Sequence, residues 1–309
     1  MNLNITTKLA KALTALILLS CLAIFALYLV QRYGAQYAEH KIQEQLEHSG
    51  LTSFVHYESI HFDPFTLTPS LENVRFGADS APWLRFARIS LNQYPIKYPD
   101  LDVDFWIQRS PIDSVSRDMR QWMRAAGIET LLGKGSFSSK AEGEKVLSQF
   151  KLDIKDVGEI SLSSNINLLD QTINMPELRS DIIASFALGQ PEAILIMYGE
   201  AIKLRSLDVV YTESGLINHL FPQPAIGQES KQAQLDLLAF RSQALGLAAA
   251  DSKEAKQIAS AIWAFLSKPE TLTLTLSLSP YSPISVKELA LSTREERLYQ
   301  DSNMTITNN

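Results

Sequence analysis

The sequence predicts an α+β protein, in which an N-terminal transmembrane helix precedes an elongated, mostly antiparallel β-rich body that carries about three amphipathic helices. The first supporting observation is the uncharged apolar run from Ala12 to Val30. The second is a succession of segments in which apolar and polar residues alternate, most regularly in residues 271–279. The third is a smaller number of segments whose apolar residues recur at helical spacing.

Composition and charge set the class of protein. Of the 309 residues, 46% are apolar and 20% are charged, which excludes a disordered or collagen-like chain. The single cysteine, Cys21, excludes an intramolecular disulfide and a metal site built from several cysteines. The formal net charge is −6, although residues 1–32 contain three basic residues and no acidic one. Because the body is acidic and nucleic acids attract proteins mainly through phosphate, we expect no nucleic-acid partner.

The apolar run predicts a membrane anchor. Its 19 residues would extend about 28 Å as a helix, close to the roughly 30 Å hydrocarbon core of a bilayer. The four residues that end at Cys21 resemble a lipoprotein cleavage site, but the apolar run continues beyond them. Lys8 and Lys11 precede the run. The positive-inside rule therefore predicts a cytoplasmic N-terminus and, in a Gram-negative bacterium, a single-pass inner-membrane protein with a periplasmic body.

One helix is predicted over 114–127, with Asp113 or Ser114 as its N-terminal cap. Its apolar face is formed by Val115, Met119, Trp122, Met123 and Ala126. Further helices are predicted over 230–249 and 252–268, and a strand is predicted from Ile182 to Tyr211. The predicted segments are a cytoplasmic N-terminus (1–11), a transmembrane helix (12–30), a juxtamembrane helix (31–50), a β-rich body (51–294) and a loose polar tail (295–309). Within the body, strands are predicted over 51–111, 135–217 and 271–292, and helices over 114–127 and 230–268.

Motifs for catalysis are not found. The sequence contains no phosphate-binding glycine loop, no H-E-x-x-H and no G-x-S-x-G. Asp156 and Glu213 each stand before x-Gly in two similar alternating segments that are 57 residues apart. This setting favours two turn residues over a pair of catalytic carboxylates. We therefore predict a non-enzymatic protein with no cofactor and no metal site.

The strand at 271–279 carries leucines on one face and only Thr and Ser on the other. The leucines are Leu272, Leu274, Leu276 and Leu278. Such a face requires burial, and two partners remain open. One is the protein's own helices at 230–268, and the other is an acyl chain that the face would bind in an apolar groove.

A second candidate contact is basic. Arg117, Arg120 and Arg124 recur at helical spacing on the helix predicted over 114–127, opposite its Met/Trp stripe. Such a stripe can contact anionic lipid head groups or an acidic partner. The alternative is an ordinary solvated helix face.

The segment from Tyr57 to Phe76, YESIHFDPFTLTPSLENVRF, resembles the opening strands of AsmA-like bacterial envelope proteins, in which a strand enters an Asn/Asp-Pro-Phe turn. The segments 83–92 and 101–111 resemble the strands that follow in that family. The resemblance covers residues 51–111, directly after the predicted anchor.

The resemblance implies an inner-membrane anchor and an elongated periplasmic sheet curled around an apolar groove. Members of that family are implicated in phospholipid movement between membranes and in envelope integrity, so the implied partners are a membrane, phospholipid and other envelope proteins. This chain is far shorter than the large bridging members, since a sheet of about 12–14 strands extends only about 60–65 Å. The expected role is therefore an adaptor or partial conduit, and the alternative is a structural subunit of a periplasmic secretion or envelope complex without a lipid ligand.

Overall fold

The computed structural model describes residues 3–48, 50–77, 82, 84–93, 100–168, 173, 175–187, 190, 192–217, 253–268, 273–290 and 302–309. The helices are α1 (Leu3–His48), α2 (Arg117–Ala125), α3 (Met175–Ala187), α4 (Glu192–Tyr198), α5 (Lys253–Ser267) and α6 (Val286–Ala290). The strands are β1 (Val55–His56), β2 (Ser59–Asp63), β3 (Thr68–Phe76), β4 (Leu84–Leu91), β5 (Leu101–Pro111), β6 (Thr130–Glu142), β7 (Lys145–Ile154), β8 (Gly158–Leu168), β9 (Ile202–Glu213), β10 (Thr273–Leu278), β11 (Ile284–Ser285) and β12 (Thr305–Asn308).

A single helix, α1, contains both the predicted anchor and the predicted juxtamembrane helix. Its segment Leu18–Glu47 is long and apolar enough to cross a membrane, a property that a signal sequence shares. The C-terminal half of α1 packs on the body, because Ala38 is fully buried. Gly34 lies so close to the ring of Phe62 in β2 that an added Cβ would be 2.6 Å from its Cε1 atom. The body is therefore joined to α1 by side-chain packing as well as by the chain.

The described strands form one antiparallel sheet. From β3 to β10, strands that follow one another along the chain are neighbours in the sheet, so this part is a meander. At one edge β1 and β2 both pair with β3, and at the other edge β12 pairs with β10. The predicted architecture, an N-terminal apolar helix followed by a β-rich body with several helices, is confirmed.

The register separates apolar from polar side chains. A row of opposed residues, here called the apolar row, crosses the sheet from β4 to β12: Leu91, Val103, Phe137, Phe150, Leu162, Val209, Leu276 and Ile306. The adjacent row on the other face is polar apart from Val210: Ser90, Asp104, Ser136, Lys151, Ser161, Val210, Thr275 and Thr307. At roughly 4.8 Å between strands, the apolar row is about 34 Å long.

The helix predicted over 114–127 is shorter and starts later than expected. Residues Ile112–Ser114 form a 3₁₀ turn, and Val115 is extended, so neither Asp113 nor Ser114 caps α2. The cap is Ser116, whose hydroxyl accepts the N–H of Met119 at 3.4 Å. The predicted apolar face is also narrower, because Trp122 is 43% exposed.

The strand predicted from Ile182 is wrong over its first part. Residues Met175–Ala187 form α3 and Glu192–Tyr198 form α4, and the strand β9 begins only at Ile202. In α3 the buried Leu178 and Ser185 are seven positions apart, which is helical spacing. Short apolar runs such as these do not distinguish a buried strand from a buried helix, and here the helix forms.

Two further predictions concern the C-terminal third. The helix predicted over 252–268 is confirmed as α5, whereas the helix predicted over 230–249 lies outside the described residues. The prediction of a loose tail over 295–309 is wrong for its end. Residues Thr305–Asn308 form β12, which pairs with β10 and places Ile306 opposite Leu276. The alternation of Thr and Ile was the signal for this strand.

Candidate functional site

The leucines of β10 lie where their alternation predicts. Leu274, Leu276 and Leu278 are opposite Tyr211, Val209 and Leu207 of β9, so they belong to the apolar face of the sheet. Leu272 lies outside the described residues. The candidate site is therefore this face as a whole, of which the leucines form one border.

At the end of the sheet near α1, the apolar face is closed. Met123 of α2 is fully buried and Val74 of β3 is 1% exposed. They belong to one cluster of buried residues that also includes Phe86 and Ile107 of the neighbouring strands. Ile42 of α1 packs against the same cluster. This part of the face is therefore a packed hydrophobic core.

At the far end, α5 covers the leucines. Ile258 of α5 is buried and packs with Leu276, Leu278 and Met304. Phe265 is 1% exposed, and its ring meets that of Tyr211 edge-on with 6.0 Å between the centroids. Of the two partners that the sequence leaves open for these leucines, the structure therefore places the protein's own helix α5 on Leu276 and Leu278.

Between the two clusters, the middle of the apolar row is only half-buried. Its members there are Val103, Phe137, Phe150, Leu162 and Val209. Next to them, Ile160 of β8 is 37% exposed. These strands thus carry a continuous apolar strip that the helices of both ends leave partly accessible. The sequence contains the alternation of each strand, but only the pairing register shows that the residues form one row.

Aromatic rings extend from the closed end into this strip. The rings of Phe76, Phe86 and Phe105 meet edge-on in succession, at centroid distances of 5.4 and 5.5 Å. Phe105 then stacks on Phe150 at 6.2 Å, across strand β6. This contact requires Gly135 between them, because a Cβ there would collide with the Phe105 ring and with the carbonyl oxygen of Lys151.

The two acid-x-Gly segments are turns, as predicted, and they lie side by side. A Cβ at Gly215 would be 2.5 Å from the carbonyl oxygen of Asp156. Glu213 accepts the backbone N–H groups of Gly215 and Ile217 at 2.6 and 2.8 Å. The Tyr211 hydroxyl lies 2.7 Å from the Val157 carbonyl oxygen. Burial and the adjacent Glu213 carboxylate raise the pKa of Tyr211 above its usual value. The cluster joins two turns and fixes one end of β8 and β9.

The three arginines of α2 differ in exposure. Arg117 and Arg124 are exposed, and Arg120 is half-buried. No ion pair joins any of them to a carboxylate among the described residues. They lie on the helix that closes the core near α1, so they are held at the end of the sheet that packs on α1.

A family model described as "Uncharacterized protein" matches residues 151–309, just over half of the chain. The chain belongs to this family. The match begins within β7 and includes α5, β10 and β12, which form the far end of the sheet. It does not reach residues 51–111, so the AsmA-like resemblance stays a prediction. No curated protein matches the chain.

Proposed function

We propose that this protein is a membrane-anchored, non-enzymatic lipid-handling protein of the bacterial envelope, in which the middle of the apolar row binds an acyl chain. The observation that carries the proposal is the half-buried strip between the core near α1 and the helix α5. Each methylene removed from water contributes about 0.8 kcal/mol, so even part of an acyl chain on this strip gains several kcal/mol. The strip also runs across the strands, in line with the apolar row.

The anchor supports a location at the membrane surface. With Lys8 and Lys11 before the apolar run, α1 would hold its N-terminus in the cytoplasm and the body in the periplasm. A periplasm-active reporter fused after Gly50 is expected to be active, and one fused before Lys11 inactive. The reverse pattern would contradict the proposed location, and release of residues 1–20 with acylation of Cys21 would show a lipoprotein instead.

The head group of the lipid has a candidate contact on α2. The arginines Arg117, Arg120 and Arg124 stand at the end of the sheet that packs on α1. With α1 as the anchor, this end would face the anionic membrane surface. They would attract anionic head groups, while the apolar strip would hold the chain.

The proposal is tested by identifying the lipid that co-purifies with the full-length chain. We expect mass spectrometry of protein purified in mild detergent to detect phospholipid, and Leu162→Asp to abolish it. Ser163→Asp is the matched control, because Ser163 is exposed on the polar face of the same strand. Leu162→Asn, a milder change, covers the case in which the aspartate variant fails to fold.

Two results would contradict the proposed lipid binding. If the wild-type chain carries no lipid, or if both Leu162 variants fold and retain it, the strip is not an acyl site. The protein would then be better described as a structural subunit of an envelope or secretion complex. The specific observation that favours that second function is an accessible sheet edge, which does not depend on lipid binding.

A further inference from the structure

The far edge of the sheet ends in a strand with an open side. Strand β12 pairs with β10 and with no other described strand. Asn309 and Thr273 exchange both backbone hydrogen bonds, at 2.8 and 3.1 Å. Hydrogen-bonded and non-bonded pairs alternate along an antiparallel ladder. The backbone N–H and C=O groups of Ile306 and Asn308 therefore point away from β10, toward the open side.

A groove of about 1010 Å³ runs along this open side, between β12 and α5. Its helical wall presents Lys253, Lys256, Gln257, Ser260 and Ala261, which recur at the spacing of one helix face. Met304 and Ile306 line it from the strand side. The groove thus combines strand backbone groups, an apolar lining and two exposed ammonium groups.

Strand β12 itself carries none of the side chains that commonly protect an edge strand against pairing. Exposed edges are commonly guarded by a charged side chain or a proline on the strand, or by a covering element. Residues Thr305–Asn308 include neither a charge nor a proline. A helix lies beside each edge of the sheet, since α5 contacts β12 here and α1 contacts β2 at the opposite edge. Thr305 and Thr307 of β12 are exposed and Ile306 and Asn308 are half-buried, so the strand stays accessible beside α5.

We propose that the open side of β12 receives an extended strand from a partner protein, with apolar residues facing α5 and acidic residues placed to meet Lys253 and Lys256. The added strand would continue the sheet through hydrogen bonds to Ile306 and Asn308. It would also continue the apolar face, because Ile306 already lies on it. Neither lysine forms an ion pair with a described carboxylate, so both are available for this contact.

Charge favours an acidic partner over a second copy of this chain. If β12 paired with its own symmetry mate, the grooves of the two copies would face each other. Lys253 and Lys256 of one copy would then approach the same lysines of the other, and like charges oppose association. The positive groove therefore selects a strand of opposite charge.

The test uses the full-length chain in detergent and a fluorescein-labelled peptide. Every second residue of the peptide is Thr, and the residues between are Val or Glu. We expect saturable binding by fluorescence anisotropy. Asn308→Pro should weaken it about tenfold, because proline removes the N–H that points outward. The change leaves the pairing with β10 intact, since Asn308 donates nothing to that strand and proline is tolerated at such edge positions. Asn308→Ala, which keeps the N–H, should bind as the wild type does.

The second part of the test reverses the charge of the two lysines in the groove. Replacing both Lys253 and Lys256 with Glu should abolish the preference for the acidic peptide over the same peptide with Lys in place of Glu. Equal binding by the proline and alanine variants would overturn the strand-addition proposal, as would no binding to the wild type. A dimer of the full-length chain that Asn308→Pro disrupts would also overturn it, because the occupant would then be a second copy.

Discussion

The two ends of the sheet use the same alternating pattern but bury it to different degrees. Near α1, the apolar face meets both α1 and α2, and residues such as Val74 and Met123 are almost completely inaccessible. At the far end α5 is the helix that covers the face among the described residues, and Leu274, Leu276 and Leu278 of β10 are half-buried. Alternation therefore specifies which side chains face inward, but it does not specify how deeply they are buried. That depth depends on the elements that pack on the face, such as α1 and α2 near Val74 and Met123.

The largest expected effect tests the covered leucines at the far end. Leu276→Asp should lower the free energy of unfolding by about 4 kcal/mol, because the carboxylate loses apolar contacts and is placed beneath α5. Thr275→Asp, on the polar face of the same strand, should cost about 1 kcal/mol or less. Denaturant unfolding of both variants measures the contrast. Equal losses would mean that the strand register is wrong.

At the end near α1, Met123→Ala should cost about 3 kcal/mol, since truncating a fully buried side chain leaves a cavity. Leu132→Ala is the matched control, because Leu132 lies on the neighbouring strand β6 and is 38% exposed. It should cost under about 1 kcal/mol. If the Met123 variant unfolds no more easily than this control, the end near α1 is not the closed core described above.

The middle of the sheet supplies the next test. Gly135→Ala should cost about 2 kcal/mol, because the added methyl collides with Phe105 and with the backbone of β7. The variant should also reduce co-purifying lipid, since it displaces the ring that stacks on Phe150. Gly143→Ala provides a control at a turn where an added Cβ meets nothing, although its positive φ adds about 1 kcal/mol. If the Gly135 variant retains its lipid, the contact between Phe105 and Phe150 is not part of the proposed lipid site.

The sequence predicts much of this architecture and little of the site. The N-terminal apolar helix, the strand β10 and α5 follow from local patterns, each of which is a property of one segment at a time. The apolar row does not, because it depends on which residues of eight strands stand opposite one another. Phe137 and Phe150 therefore could not be placed together beforehand. The role of Gly135 was hidden for the same reason, since its neighbours come from β5 and β7.

The errors have a common physical cause. The residues of α3 form short apolar runs that suit a strand or a helix, and only tertiary packing of Leu178 decides between them. The polar residues of β12 suggested a loose tail, but a polar strand is stable where it completes the ladder of β10. Both cases show local preference overruled by a partner distant in the sequence.

The smallest expected effect on stability concerns the arginines of α2. Replacing Arg117, Arg120 and Arg124 with Gln should change the free energy of unfolding by no more than about 0.5 kcal/mol per site, since no described carboxylate pairs with them and two of the three are exposed. Their proposed role is at the membrane, where each contact with anionic lipid contributes about 1 kcal/mol. The triple variant should therefore fold normally. Its proteolytically released body, residues 51–309, should sediment less with anionic vesicles than the wild-type body does, and both bodies should sediment equally poorly with neutral vesicles.

Replacing Lys134, Lys140 and Lys151 with Gln is the matched control. These exposed lysines lie on the polar face of the sheet, and their replacement removes the same amount of charge. Equal loss of vesicle binding in both variants would show that total charge matters, and the arginines would then form an ordinary solvated face.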